Sequence, residues 1–117
     1  GAELIFSVPC CQHELNAQME SHRLSILTRY GIIKERAAAL MTDAIRGNLL
    51  QYAGYKTQLL EFVDLSHTPK NILIRAARTN VSAGTKEWVL AEVETLTDEF
   101  GFDPTLYRLF RENGIVK

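Results

Sequence analysis

The sequence predicts an α/β fold, laid out as a strand, a run of helices, a β-hairpin and two closing helices. Three features point there. The opening run Leu4-Ile5-Phe6 is apolar on consecutive residues, the pattern of a strand covered on both faces in a parallel sheet rather than of a half-solvated hairpin. Residues 34–52 repeat apolar side chains at i, i+3 and i+4, the period of a helix. Two later apolar runs, Thr57–Val63 and Asn71–Arg78, are joined by a link shorter than the roughly dozen residues of a parallel crossover, so they form an antiparallel pair.

Taken in order, Glu3–Val8 (ELIFSV) is rich in β-branched and aromatic residues and is closed by Pro9, which favours a strand. An α/β domain seldom opens in the middle of its sheet, so the chain reads as the second part of a longer domain. Glu14–Arg29 carries a weaker helical period, with Leu15, Met19, Leu24 and Leu27 inward, until Gly31 interrupts it. Lys34–Tyr52 is amphipathic. Ala37, Leu40, Met41, Ala44, Ile45, Asn48, Leu49 and Tyr52 form the inward face, Glu35, Arg36, Asp43 and Arg46 fall elsewhere, and Gly54 stands where a C-terminal cap belongs. The two hairpin strands flank the turn-rich stretch Asp64–Lys70. After the polar link Thr79–Gly84, a helix starts near Thr85 and runs to Phe100, burying Val89, Val93, Leu96 and Phe100 and stopping at Gly101. Asp103-Pro104 reads as the N-cap and first-turn proline of a last helix, which presents Leu106, Leu109 and Phe110 and ends at Gly114.

Composition bounds the rest. The 117 residues hold one hydrophobic core, and 46% apolar with 23% charged residues excludes collagen-like, disordered and disulfide-scaffold classes. Thirteen basic against fourteen acidic side chains supply no broad positive field for nucleic acid or anionic membrane. No apolar run approaches the roughly 20 residues that span a bilayer, and no secretory leader precedes the first strand, so a cytoplasmic protein without a membrane partner is expected. The only cysteines, Cys10 and Cys11, are adjacent. Their Cα atoms lie about 3.8 Å apart, below the roughly 4.4 Å minimum of an unstrained disulfide, which fits a reducing compartment.

Three stretches, VPCCQHEL (Val8–Leu15), ERAAALMTDAIR (Glu35–Arg46) and EFVDLSHTPKN (Glu61–Asn71), taken in this order and spacing, resemble a family of class I S-adenosylmethionine-dependent methyltransferases of poorly defined substrate. The resemblance covers residues 1–78; residues 79–117 carry no motif of it. It implies the C-terminal half of a Rossmann-like methyltransferase sheet, with residues 79–117 as a helical extension on the same core. In that fold the antiparallel last strand of an otherwise parallel sheet lies beside the fifth. The run ending at Val8 corresponds to the fifth strand, Lys34–Tyr52 to the main part of the connecting helix, and the hairpin to the sixth and seventh. The family holds its cofactor on a glycine-rich turn after the first strand and an acidic residue at the end of the second, and this sequence contains neither. S-adenosylmethionine therefore belongs to the parent protein, none is expected on this chain, and the missing N-terminal half of the domain is the first expected partner.

Pro9-Cys10-Cys11-Gln12-His13 follows the C-terminal end of the first strand, where ligands of open α/β sheets bind. Gln12 and His13 can hydrogen-bond a substrate there, and His13 titrates near neutral pH, as a general base must. A nucleophilic thiolate at Cys10 or Cys11 needs a nearby positive charge, and none is adjacent; two small thiols packing a tight turn explain them equally well. A zinc site on Cys10, Cys11 and His13, completed by His22 or His67, is disfavoured because adjacent cysteines lack the gap that lets both thiolates reach one tetrahedral ion. In His67-Thr68-Pro69-Lys70-Asn71, turn chemistry accounts for Pro69 and Asn71 but requires neither His67 nor Lys70. Asp43 and Arg46, at i, i+3 spacing, read as a surface ion pair. Trp88, Tyr107 and Phe110 sit at helical spacings that suit core packing better than a stacking platform for bases.

The resemblance thus implies an acceptor-side part of a methyltransferase. His13 would be the base where the acceptor must lose a proton, and Pro9, Cys10, Cys11, Gln12, His67, Lys70 and Asn71 would contact the substrate. Related paired Cys and His motifs occur in some RNA methyltransferases, so RNA is the acceptor expected first. The rival expectation is a non-catalytic interaction module that kept the sheet remnant. The coding sequence upstream of Gly1 separates the two, since an enzyme needs a strand, a glycine-rich turn and an acidic residue about 20 positions later. An interior strand stripped of a neighbour also offers an apolar edge to another copy, so a homo-oligomer is expected.

Overall fold

The computed structural model describes residues 3–7, 13–61 and 72–116. It is a mixed α/β structure. Strand β1 (Leu4–Ser7) is followed by α1 (His13–Gln18), α2 (Ser25–Thr28) and the long α3 (Gly31–Tyr52). Strands β2 (Tyr55–Glu61) and β3 (Ile72–Arg78) come next, then α4 (Ala83–Phe100) and α5 (Thr105–Glu112). The three strands form one sheet in the order β1-β3-β2, and both pairings are antiparallel. β1 and β2 therefore point the same way, with β3 reversed between them.

The β2–β3 pair is the antiparallel hairpin expected from its short link. β1 departs from expectation in its exposure: its one strand neighbour among the described residues is the antiparallel β3, and it is not covered on both faces as its apolar run predicts. Leu4 and Phe6 are 49% and 58% exposed. The reason is that the helices cover only one face of the sheet. On that face Ile74, Ala76 and Tyr55 are buried against α3. Gly47 faces β2 across this interface: a Cβ built on it would lie in ordinary van der Waals contact with Thr57 Cγ2 at 3.7 Å and the Leu59 methyls at 3.8 Å. The opposite face carries Leu4 and Phe6 of β1, Arg75 of β3, and Lys56, Gln58 and Leu60 of β2, all exposed, with Arg75 Nη1 donating to Gln58 Oε1 at 2.9 Å.

Helix ends follow local chemistry. α3 stops at Ala53, and Gly54, at φ +106°, turns the chain into β2 while its carbonyl accepts from Thr79 N at 3.0 Å. The side chain of Ser82 caps α4 by accepting from Thr85 N at 3.1 Å, and Gly101 closes it in the left-handed region at φ +69°. At α5 the expected capping pair is displaced by one residue. Pro104 occupies the N-cap, and the Asp103 carboxylate accepts instead from Arg108 at 3.1 Å and Arg111 at 3.3 Å.

One core joins the whole chain: Leu15, Met19, Ala38, Ile45 and Leu49 pack with Val93, Phe100, Phe102, Tyr107 and Val116. Each fully buried leucine, isoleucine or phenylalanine contributes about 1.5–3 kcal/mol. α3 packs against the sheet, α1 and α4 together, so its burial is not the single stripe read from the sequence. Leu40 is 58% exposed and Ala44 faces solvent, whereas Asp43 is only 4% exposed and Gly47 is buried. In α4, Val89, Val93 and Phe100 are buried as expected, joined by Thr97, while Leu96 is half-buried. In α5 the buried residue is Tyr107, and Leu109 is 45% exposed.

Candidate functional site

Register places the strand ends that flank both motifs at one end of the sheet. Ser7, the last residue of β1, pairs with Ile74, and Glu61, the last residue of β2, pairs with Ile72, the first residue of β3. The segment leaving β1 and the segment joining β2 to β3 thus depart from the same edge. Pro9, Cys10, Cys11 and Gln12 belong to the first, and His67, Lys70 and Asn71 to the second; these seven lie outside the described residues.

His13 opens α1, the helix that returns the chain from that sheet end to the core. Leu15 and Met19, each 1% exposed, fix α1 on its buried side. Glu14 and Gln18, one turn apart, hold the entry to α5. Glu14 accepts from Thr105 N at 2.6 Å and from Thr105 Oγ1 at 2.7 Å. Gln18 brackets Asp103, accepting from its N–H at 2.8 Å and donating to its carbonyl at 3.3 Å. Glu14, within the VPCCQHEL stretch, thus acts as an N-terminal cap for a helix 91 residues downstream.

Asp43 is the residue whose role the sequence hid. It was expected at the surface, yet its side chain is 5% exposed and lies 3.8 Å from Arg46, which is itself one-third exposed. Gly47, one turn later on α3, faces Thr57 and Leu59, and α3 and β2 are consecutive elements joined by a tight turn. Stepping back one turn along α3 moves toward the C-terminal end of β2, so Asp43 lies toward the edge from which both motifs depart. Arg46 also lines a small crevice of about 120 Å³ with Glu14, Thr42 and Thr105. The glycine four residues after Asp43 was the available signal, since a buried small residue marks the side of a helix that a neighbour approaches.

No group of three or more histidine, cysteine, aspartate or glutamate side chains could hold a metal among the described residues, and His22 is exposed there. No described helix is long and apolar enough to cross a membrane. The described positive-φ glycines, Gly54, Gly101 and Gly114, all lie at helix C-termini, and none forms a strand-to-helix turn that could approach a nucleotide.

These features define a mixed α/β chain with a three-stranded antiparallel sheet covered by helices on one face. No family model, curated protein or solved structure matches it.

Proposed function

We propose that this chain is the acceptor side of an S-adenosylmethionine-dependent methyltransferase whose cofactor is held by residues outside it. The observation that supports this is the strand arrangement: two strands point the same way, and the last strand lies reversed between them, as the resemblance implies for the fifth, sixth and seventh strands of a Rossmann-like sheet. It also brings the flanks of the PCCQH and HTPKN segments to one end, so residues about 55 positions apart in sequence serve one acceptor site.

The bound cofactor would supply an electrophilic methyl group. The chain's own contribution is to hold the acceptor in line and to take its proton: His13 is the base, while Gln12, His67, Lys70 and Asn71 orient the acceptor. RNA is the acceptor class to assay first.

The test is made on the full-length polypeptide carrying this chain. Calorimetry is expected to show saturable S-adenosylmethionine binding. His13→Ala should leave that affinity unchanged and lower transfer of labelled methyl to RNA by about 10²-fold, the low end for loss of a general base. A full-length protein without saturable binding would exclude the enzyme and leave the non-catalytic interaction module, which the exposed Leu4, Phe6 and Leu60 on the uncovered sheet face favour.

A further inference from the structure

Net charge conceals a strong internal separation. α4 carries one lysine, Lys86, against five carboxylates, Glu87, Glu92, Glu94, Asp98 and Glu99. The stretch from Arg23 to Arg36 carries four cations, Arg23, Arg29, Lys34 and Arg36, against Glu35 alone. Both regions also expose large apolar side chains.

The acidic region is a groove. It runs between α4, α3 and the turn before α2, with a volume of about 980 Å³. Val93, Phe100 and Ile45 form its apolar floor, and Trp88, 62% exposed, stands on its α4 wall. Glu92, Asp98 and Glu99 line it against the single cation Arg23, whose Nε is 3.9 Å from Glu99. Phosphate-bearing ligands are disfavoured by three carboxylates. Packing the groove on its own image would set acid against acid.

The basic region is an exposed ridge. Ile26, Tyr30, Ile32 and Ile33 are 66%, 50%, 59% and 42% exposed. Arg29 lies over the Tyr30 ring at 4.8 Å and donates to its hydroxyl at 2.7 Å, which gives the ridge a fixed cationic, aromatic corner. Ridge and groove adjoin, because Arg23 and Leu24 line the groove immediately before α2 begins.

We infer that the ridge at residues 26–36 of one copy docks in the α3–α4 groove of a second copy. The charges are complementary, the apolar residues are matched by an apolar floor, and both surfaces are on the same chain. Because the two adjoin, a two-fold axis makes the contact twice, ridge into groove and groove onto ridge. Docking buries Trp88 and sets Arg29 and Arg36 against Glu92 and Asp98. The inference is independent of the proposed catalytic role, since it uses no residue of the two motifs.

Trp88 is the only tryptophan in the chain, so its emission reports on the groove directly. In the 117-residue chain, raising the concentration should give a dimer by light scattering together with a blue shift of Trp88 emission and protection from acrylamide quenching. Raising salt should weaken the dimer, as screening requires. Arg29→Glu with Arg36→Glu, or Glu92→Lys with Asp98→Lys, should each weaken it at least about tenfold, and all four changes in one chain should restore it. Circular dichroism confirms that each variant is folded. Three results would overturn the inference: Trp88 emission independent of concentration, charge reversals without effect or without mutual rescue, or a dimer lost only on Phe6→Lys, which would assign the contact to the uncovered face of the sheet.

Discussion

At the scale of single residues, the instructive cases are polar groups inside the core. Tyr107 is buried, its hydroxyl bonds Glu94, and the Arg111 guanidinium stacks 4.7 Å from its ring. Burial raises the Tyr107 pKa above the usual tyrosine value, the Glu94 carboxylate raises it further, and Arg111 opposes both. Because the folded-state pKa is raised, the neutral phenol's contribution is fully present below the unfolded-state value. It is lost as pH climbs from about 10 through the folded-state value, where the unfolded chain ionises first. Urea midpoints should therefore fall as pH rises above about 10, and Tyr107→Phe should flatten that fall relative to the native chain. Equal slopes for the two proteins would show that Tyr107 is not the group responsible. Tyr107 is buried, as its helical spacing suggested, whereas Asp43 was misread because α3 packs against the sheet, α1 and α4 together, where a single apolar stripe no longer predicts which residues are buried.

At the scale of elements, boundaries were legible and tertiary caps were not. Gly54 and Gly101 ended their helices as expected, because a left-handed residue after a periodic run is a local event that spacing can register. The entry to α5 was misassigned because its N–H groups are satisfied from α1, through Glu14 and Gln18. Asp103 is then free to pair with Arg108 and Arg111 rather than to cap. Nothing in local spacing reveals a carboxylate that caps a helix 91 residues away. Glu14→Ala removes both acceptors and should cost about 1 kcal/mol, in line with other lost N-caps. Chemical denaturation measures the loss, and hydrogen exchange should place the extra opening in the first turn of α5 rather than in α3. The catalytic test gains from this, since a structural loss at Glu14 can be told apart from a chemical one at the neighbouring His13.

At the scale of the whole molecule, the sequence divides where the structure does not. The resemblance ends near residue 78, yet Val93, Phe100, Phe102, Tyr107 and Val116 from beyond it pack in one cluster with Leu15, Met19, Ala38, Ile45 and Leu49. Further bonds cross the same line: Glu20 N donates to the Phe100 carbonyl at 3.0 Å, and Asn48 Nδ2 donates to the Val89 carbonyl at 3.0 Å. A core shared in this way leaves neither part enough buried surface to offset its chain entropy, which for about 78 residues amounts to roughly 1–2 kcal/mol per residue for the backbone alone. The chain should therefore unfold in one transition, with calorimetric and van't Hoff enthalpies that agree. A truncation after Arg78 should lose cooperative unfolding altogether, because it strips α1 and α3 of the α4 and α5 residues that pack with Leu15, Ile45 and Leu49. Two resolved transitions, or a truncated chain with a sharp one, would make residues 79–117 a separate appendage. In that event α4 would no longer be held against α3, and the groove that carries Trp88 would have no fixed second wall.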